Sequence, residues 1–316
     1  LADLILEVQG DRMIIEEEDK MRVIDFHTHI DDILYGGDLV EPYSEMVWTP
    51  GDIFEWSGYR VSGLKGLFHK LSHHLEVLYI HHRMQFGTKE NLARFMERYG
   101  VEKSVLLPIA PLTDGLRYLR KVKGDGRFIV FASVSPYDSD KERHLKAQVD
   151  GGCVGIKLHP ILQNASAEHK GYFEIMELAR GYKLPVIFHS GVISYYPAYQ
   201  WVRYGYGEPR RYEKLISGFR DLRIILAHLG MRQWEQVLDL GRRYDNVYVD
   251  GSNQRLSVLK KAVLAFGKER MLFGSDFPAS HQSTPIKIGL KLTEGDDDFR
   301  ERFFYKNALS LLSGVK

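Results

Sequence analysis

A rhythm constrains this chain more than any single residue does. From Met21 onward, short β-branched apolar runs alternate with amphipathic helical stretches, the pattern of repeated βα units around a parallel sheet. The runs are VIDFHTH (23–29), SVLLPI (104–109), FIVFASV (128–134), GIKLHP (155–160), PVIFHSG (185–191), RIILAHLG (223–230), VYVDGS (247–252) and MLFGSDFP (271–278). Helix candidates follow them, among them NLARFMERYG, YFEIMELARGY and, near the C-terminus, DFRERFFYKNALSLL. Eight runs and their helices over 21–316 predict an α/β fold, a (β/α)8 TIM barrel, with a doubly wound open sheet as the alternative.

Two connections are too long for tight βα loops. Residues 30–87 follow the first strand and residues 191–208 follow the fifth, so the barrel carries an insertion after strand 1 and a second one at 191–208. Both leave C-terminal strand ends, the face where barrel sites form, and both are expected to be lid-like. Residues 1–20 read as two short strands around a Gly-Asp turn, a short N-terminal appendage resembling a small hairpin.

Bulk composition narrows the partners. Lys+Arg (43) nearly balance Asp+Glu (42), so no basic field points to nucleic acid. No apolar run approaches the ~20 residues of a membrane span, and no secretory leader pattern opens the chain. The single cysteine, Cys153, excludes an intrachain disulfide framework and reads as inert packing. The expectation is a cytoplasmic protein acting on a small molecule, with homo-oligomerisation left open.

The polar residues that end the apolar runs carry the chemistry. His27 and His29 end the first, Lys157 and His159 the fourth, His189 the fifth, His228 the sixth and Asp276 the eighth. A lone histidine at a strand end is most often a satisfied core residue. Imidazoles on three strands and a carboxylate on a fourth, brought round one axis by barrel closure, instead form a donor set for Zn²⁺ or a similar divalent ion. Alternation along a strand puts Asp25 on the face of His27 and His29, deeper in the barrel. It reads either as the acceptor that orients a ligand imidazole or as a polar contact inside the barrel.

HTH on the first strand, AHLG on the sixth and GSDFP on the eighth resemble the amidohydrolase superfamily, in particular the branch containing aminocarboxymuconate-semialdehyde decarboxylase. The resemblance covers about 21–316 and does not account for residues 1–20 or the 30–87 insertion. It implies that His27, His29, His189 and Asp276 bind one metal ion, zinc being the expected one, and that His228 orients or protonates the reacting group. In two-metal members a lysine at the position of Lys157 is carbamylated and bridges the ions, with His189 and His228 holding the second. The one-metal reading is preferred, leaving Lys157 and His159 as a second-metal or substrate contact.

The family holds two chemistries on nearly the same ligands. One is hydrolysis of an ester, lactone or amide, with Asp276 as base and His228 as acid or electrostatic partner. The other is non-oxidative decarboxylation of a small unsaturated or aromatic acid. In the loop at 195–206, Trp201 and Tyr204 are candidates to wall a planar substrate and Arg203 to grip an anionic group. His69 and His73, four apart within FHKLSHHLEVLYIHH, have no accompanying carboxylate motif and read as part of a packing or solvated helix.

Overall fold

The computed structural model describes residues 21–31, 83–193, 203–280 and 282–313. The 1–20 appendage, the histidine cluster at 68–82 and Trp201 lie outside the described residues. Eight parallel strands run in chain order: β1 (Ile24–Thr28), β2 (Lys103–Leu106), β3 (Phe128–Val130), β4 (Ile156–Leu158), β5 (Val186–Phe188), β6 (Ile224–Leu226), β7 (Val247–Asp250) and β8 (Met271–Leu272). Helices alternate with them: α1 (Lys89–Tyr99), α2 (Gly115–Lys121), α3 (Lys141–Asp150), α4 (Lys170–Tyr182), α5 (Glu213–Gly218), α6 (Trp234–Arg243), α7 (Leu256–Phe266) and α8 (Ser283–Leu292).

The ladders form two groups, β1–β3 and β4–β8. Both seams are crossed by single parallel bridges, Thr28 with Phe277 and Ala132 with Ile156. Backbone hydrogen bonds span them, from Phe26 N to Phe273 O (2.9 Å) on one side and from Lys157 N to Ala132 O (2.8 Å) on the other. The result is the expected TIM barrel.

Strand alternation divides the core into two layers. Leu106, Ile156, Leu158, Val186, Phe188, Ile224 and Leu226 face outward and pack with helix residues such as Leu92, Tyr172 and Leu215. Val105, Leu107, Phe131, Ile187, Ile225 and Leu272 form a separate cluster together with Tyr305, Ala308 and Leu311 near the C-terminus. The terminal helix thereby plugs the barrel's N-terminal end and leaves the opposite mouth for chemistry. It is not the single regular helix that its sequence suggests. α9 (Asp297–Glu301) and α10 (Asn307–Ser313) are joined by a π turn at Arg302–Lys306. That turn packs Phe303 and Phe304 beneath Phe273, and the Phe303 carbonyl accepts from Phe273 N at 2.9 Å.

Local signals set the helix ends. Thr88 caps α1 by accepting from Asn91 N at 3.1 Å, a contact worth about 1 kcal/mol, and Gly100 ends that helix at φ 67°. No helix among the described residues is long and apolar enough to cross a membrane.

Candidate metal centre and active site

The first strand departs from simple alternation. Its register shifts between Asp25 and Thr28, and Ile24 and Phe26 both join the Val105–Leu272 cluster. An irregularity of this kind changes the face that succeeding side chains occupy. Of the two readings of Asp25, the polar contact inside the barrel is the one observed. Its carboxylate turns to the segment after β8, accepting from Ser275 N (2.9 Å), Ser275 Oγ (2.6 Å) and Gln282 Nε2 (2.7 Å), with a longer contact from His27 N (3.3 Å). Burial raises its pKa to about 6 despite those donors. Asp25 ties β1 to the β8 end and touches neither imidazole ring by hydrogen bond.

The group that holds His27 is Asp250, at the end of β7. Its Oδ2 accepts from His27 Nδ1 at 2.9 Å. The His29 Nδ1 donates to the Leu107 carbonyl at 2.7 Å. Each acceptor fixes its ring with the proton on Nδ1, so both Nε2 lone pairs point inward. Asp276 Oδ1 lies 3.5 Å from His27 Nε2 and 3.3 Å from His29 Nε2. Acceptors facing one another at such distances repel unless a cation joins them. The three donors fit a divalent ion in residue type, tautomer and convergence, and their ligand atoms lie within 4.8 Å of one another.

Close backbone approach makes this convergence feasible. Gly274 in GSDFP is where a Cβ would come within 2.9 Å of His27 Cβ, so only glycine lets β8 pass that close. Asp276 follows with φ 63°, its N bonded to His27 O at 2.8 Å and its Oδ2 accepting from Asn253 Nδ2 at 2.6 Å. Burial favours the neutral acid at Asp276, but the nearby His228, His29 and His27 imidazoles outweigh it and hold the carboxyl well below the usual range.

His228 sits beyond β6 at the start of four successive positive-φ residues, His228 to Met231. For non-glycine residues each such conformation costs about 1–3 kcal/mol. Gln254 offsets this, donating to the His228 and Met231 carbonyls at 2.9 and 2.8 Å. The His228 ring is 4.5 Å from that of His27 and 5.0 Å from that of His189, and its Nδ1 meets Ser252 Oγ at 2.8 Å.

His189 and His159 stack on each other, 4.0 Å apart and 8° from parallel. Burial, reinforced by neighbouring cations and imidazoles, depresses both pKa values well below the ordinary histidine value, which leaves them neutral. The His189 Nε2 contacts the Gly191 carbonyl at 3.1 Å, and His189 borders the His27–His29–Asp276 group without belonging to that closest set. Lys157 is fully buried, with Nζ 3.3 Å from His27 Nε2. Burial lowers its pKa to about 8 against the pull of Asp250 and Asp276.

The substrate candidates on the second loop separate. Tyr204 is half-buried against a small apolar cluster of Met84, Ile109, Ile161 and Leu162. Arg203 is exposed, and its guanidinium lies 3.3 Å from the Tyr206 hydroxyl. Cys153 is buried, with its thiol pKa raised to about 12 by desolvation, as inert packing requires.

Comparison with known proteins agrees with this architecture. The amidohydrolase family model matches residues 24–313, nearly the whole described barrel. The chain belongs to the amidohydrolase family. No curated protein matches the sequence. Solved amidohydrolase-like barrels share the fold at low identity. An uncharacterised TIM-barrel protein from Bordetella bronchiseptica has TM-score 0.68 and 16% identity, covering 93% of this chain and 99% of the other. A dihydroxybenzoic acid decarboxylase from a Polaromonas species, solved with manganese and 2-nitroresorcinol, gives 0.61 and 18%, covering 93% and 97%. A probable 2-pyrone-4,6-dicarboxylic acid hydrolase from Acinetobacter baumannii gives 0.59 and 13%, covering 93% and 100%. As an amidohydrolase, this chain is an enzyme of a superfamily built around divalent metal ions, and its His27–His29–Asp276 group suits one.

Asp250, Ser252, Asn253 and Gln254 were not singled out in the sequence. The signal for Asp250 is present all the same: VYVDGS ends in a carboxylate as GSDFP does, on the neighbouring strand.

Proposed function

We propose that this amidohydrolase is a zinc-dependent hydrolase of a small ester, lactone or amide. His27, His29 and Asp276 would hold the ion, with His189 completing the set. The observation that carries this reading is the position of Asp276. One carboxylate reaches both inward-facing Nε2 atoms through Oδ1 and lies 3.9 Å from His228 Nδ1 through Oδ2. When bound, a divalent ion supplies Lewis acidity, polarising a substrate carbonyl and making a water more acidic at neutral pH. Asp276 takes the proton from the attacking water. His228 in its protonated form, with one N–H held by Ser252, donates the other to the charge that develops on the substrate oxygen. Met84, Ile109, Ile161, Leu162 and Tyr204 supply the apolar wall expected beside a small organic substrate. Lys157 contacts substrate or remains a buried cation in a one-ion site; with its pKa near 8, it is also basic enough to be partly neutral and open to carbamylation.

The second reading is decarboxylation of a small unsaturated or aromatic acid. It is supported by the shared fold with the Polaromonas decarboxylase. In that reading a protonated site residue, His228, delivers a proton to carbon as CO2 leaves.

Metal analysis of protein prepared without added ions, followed by a screen of lactones, esters and small carboxylic acids, tests this. The expected result is about one zinc per chain, acid release without CO2, and an Asp276→Asn variant slowed roughly 100-fold or more. CO2 release from a carboxylic acid selects the second reading, and close to two ions per chain points to a carbamylated Lys157. Full activity and metal content in Asp276→Asn would sink the site assignment.

A further inference from the structure

His228 does not stand alone beside the metal ligands. Its Nδ1 lies 2.8 Å from Ser252 Oγ, and Ser252 Oγ in turn makes a short hydrogen bond to Asp250 Oδ1. Asp250 Oδ1 also accepts from the backbone N of His228 and of Ser252, each at 3.1 Å, while Oδ2 accepts from His27 Nδ1. All four residues are essentially buried.

The direction of the chain follows from the donor count. An ionised carboxylate only accepts, so the Ser252 hydroxyl must donate its one proton to Asp250. That leaves the Ser252 oxygen to accept, and the only donor His228 can offer it is Nδ1–H. The opposite polarity would set two acceptors against each other at hydrogen-bond distance, an arrangement a buried site does not tolerate.

We infer that Ser252 and Asp250 are positioning residues. Together they lock His228 in its Nδ1–H tautomer, which leaves the lone pair on Nε2, and they couple that ring to the metal-binding His27 through one carboxylate. The two imidazoles are thereby held in the same tautomer from the same point on β7. The αL backbone at His228 serves the same end, since it brings the His228 N–H onto Asp250 as well. Ser252 acts only through His228, whereas Asp250 acts through both rings. Their substitutions therefore have separable consequences. Loss of the Ser252 hydroxyl frees the His228 tautomer and leaves the metal ligands intact. Loss of the Asp250 charge also loosens His27 and weakens metal retention.

The effect on turnover rests on the function proposed above, but the tautomer does not. Full-length protein labelled with ¹⁵N-histidine, as purified and loaded with zinc, reports each imidazole's protonated nitrogen by long-range ¹H–¹⁵N correlation. The His228 signals are identified from a His228→Gln spectrum. The wild type is expected to show Nδ1–H at His228, Ser252→Ala a shift toward the mixed or Nε2–H pattern, and Ser252→Thr the wild-type pattern.

With a substrate in hand, Ser252→Ala should lower kcat about 10–100-fold while KM and zinc stoichiometry stay within about twofold, with Ser252→Thr restoring most of the rate. Asp250→Asn should lower both kcat and zinc retention. Thermal melts confirm that each variant is folded. Wild-type His228 found as Nε2–H, or a Ser252→Ala spectrum identical to wild type, overturns the inference. So does a tautomer change in Ser252→Ala that leaves kcat untouched. If no hydrolytic or decarboxylase substrate is found, the proposed function fails, and the NMR result still decides the tautomer.

Discussion

Donors from two neighbouring segments converge on the Asp25 carboxylate: the Ser275 amide and hydroxyl, the Gln282 side chain and, at longer range, the His27 amide. An amide in its place would turn an NH₂ group against N–H donors. Asp25→Asn is therefore expected to lose roughly 1–3 kcal/mol, read from the denaturation midpoint at neutral pH. The pH dependence has a definite sign. Burial lifts the folded pKa to about 6, above the unfolded value of about 4, so this group favours the fold most below pH 4. That contribution fades as the pH rises through 6, and Asp25→Asn should flatten the stability curve over this interval. An unchanged curve would show that the native carboxyl titrates like the unfolded one. The sequence marks Asp25 as unusual, since a buried strand has little reason to carry a carboxylate. Its partners were not legible, because Ser275 and Gln282 lie in the segment after β8, which only barrel closure brings against β1.

At the scale of the element, Gly274 decides how close β8 comes to β1. A methyl group there would meet His27 Cβ at 2.9 Å, closer than real side chains pack. Gly274→Ala is expected to destabilise the fold by about 1–3 kcal/mol and, by displacing His27, to weaken retention of a divalent ion in dialysis. Normal metal content in a folded variant would show that the strand yields instead. The eight strands were legible because each is an apolar run closed by turn residues, and that pattern survives in any parallel barrel. Two element details were not. MLFGSDFP supplies only Met271 and Leu272 as strand, since the rest bends into the mouth. The last helix contains a π turn, because Phe273 claims the Phe303 carbonyl that a regular helix would use.

For the whole molecule, closure joins polar groups from β1, β6, β7 and β8 into one buried cluster, so a bound ion cross-links the barrel. Removing it with a chelator should lower the melting temperature, and adding the divalent ion back should restore it. A free ion concentration 1,000 times the dissociation constant corresponds to about 4 kcal/mol, or a shift on the order of 5–10 °C for a chain of this size. No shift on chelation of a protein shown to contain metal would place the ion outside the barrel mouth. The sequence by itself determined the barrel and singled out His27, His29, His228 and Asp276 as candidates, which the fold brings together. Strand period and strand-end polarity are local properties, readable one run at a time. Only the tertiary structure decided which group serves which. Asp250 rather than Asp25 holds His27, Ser252 engages His228, and Gln254 clamps the left-handed turn, because hydrogen-bond partners from different strands are chosen by closure and register. No spacing within a single strand records them.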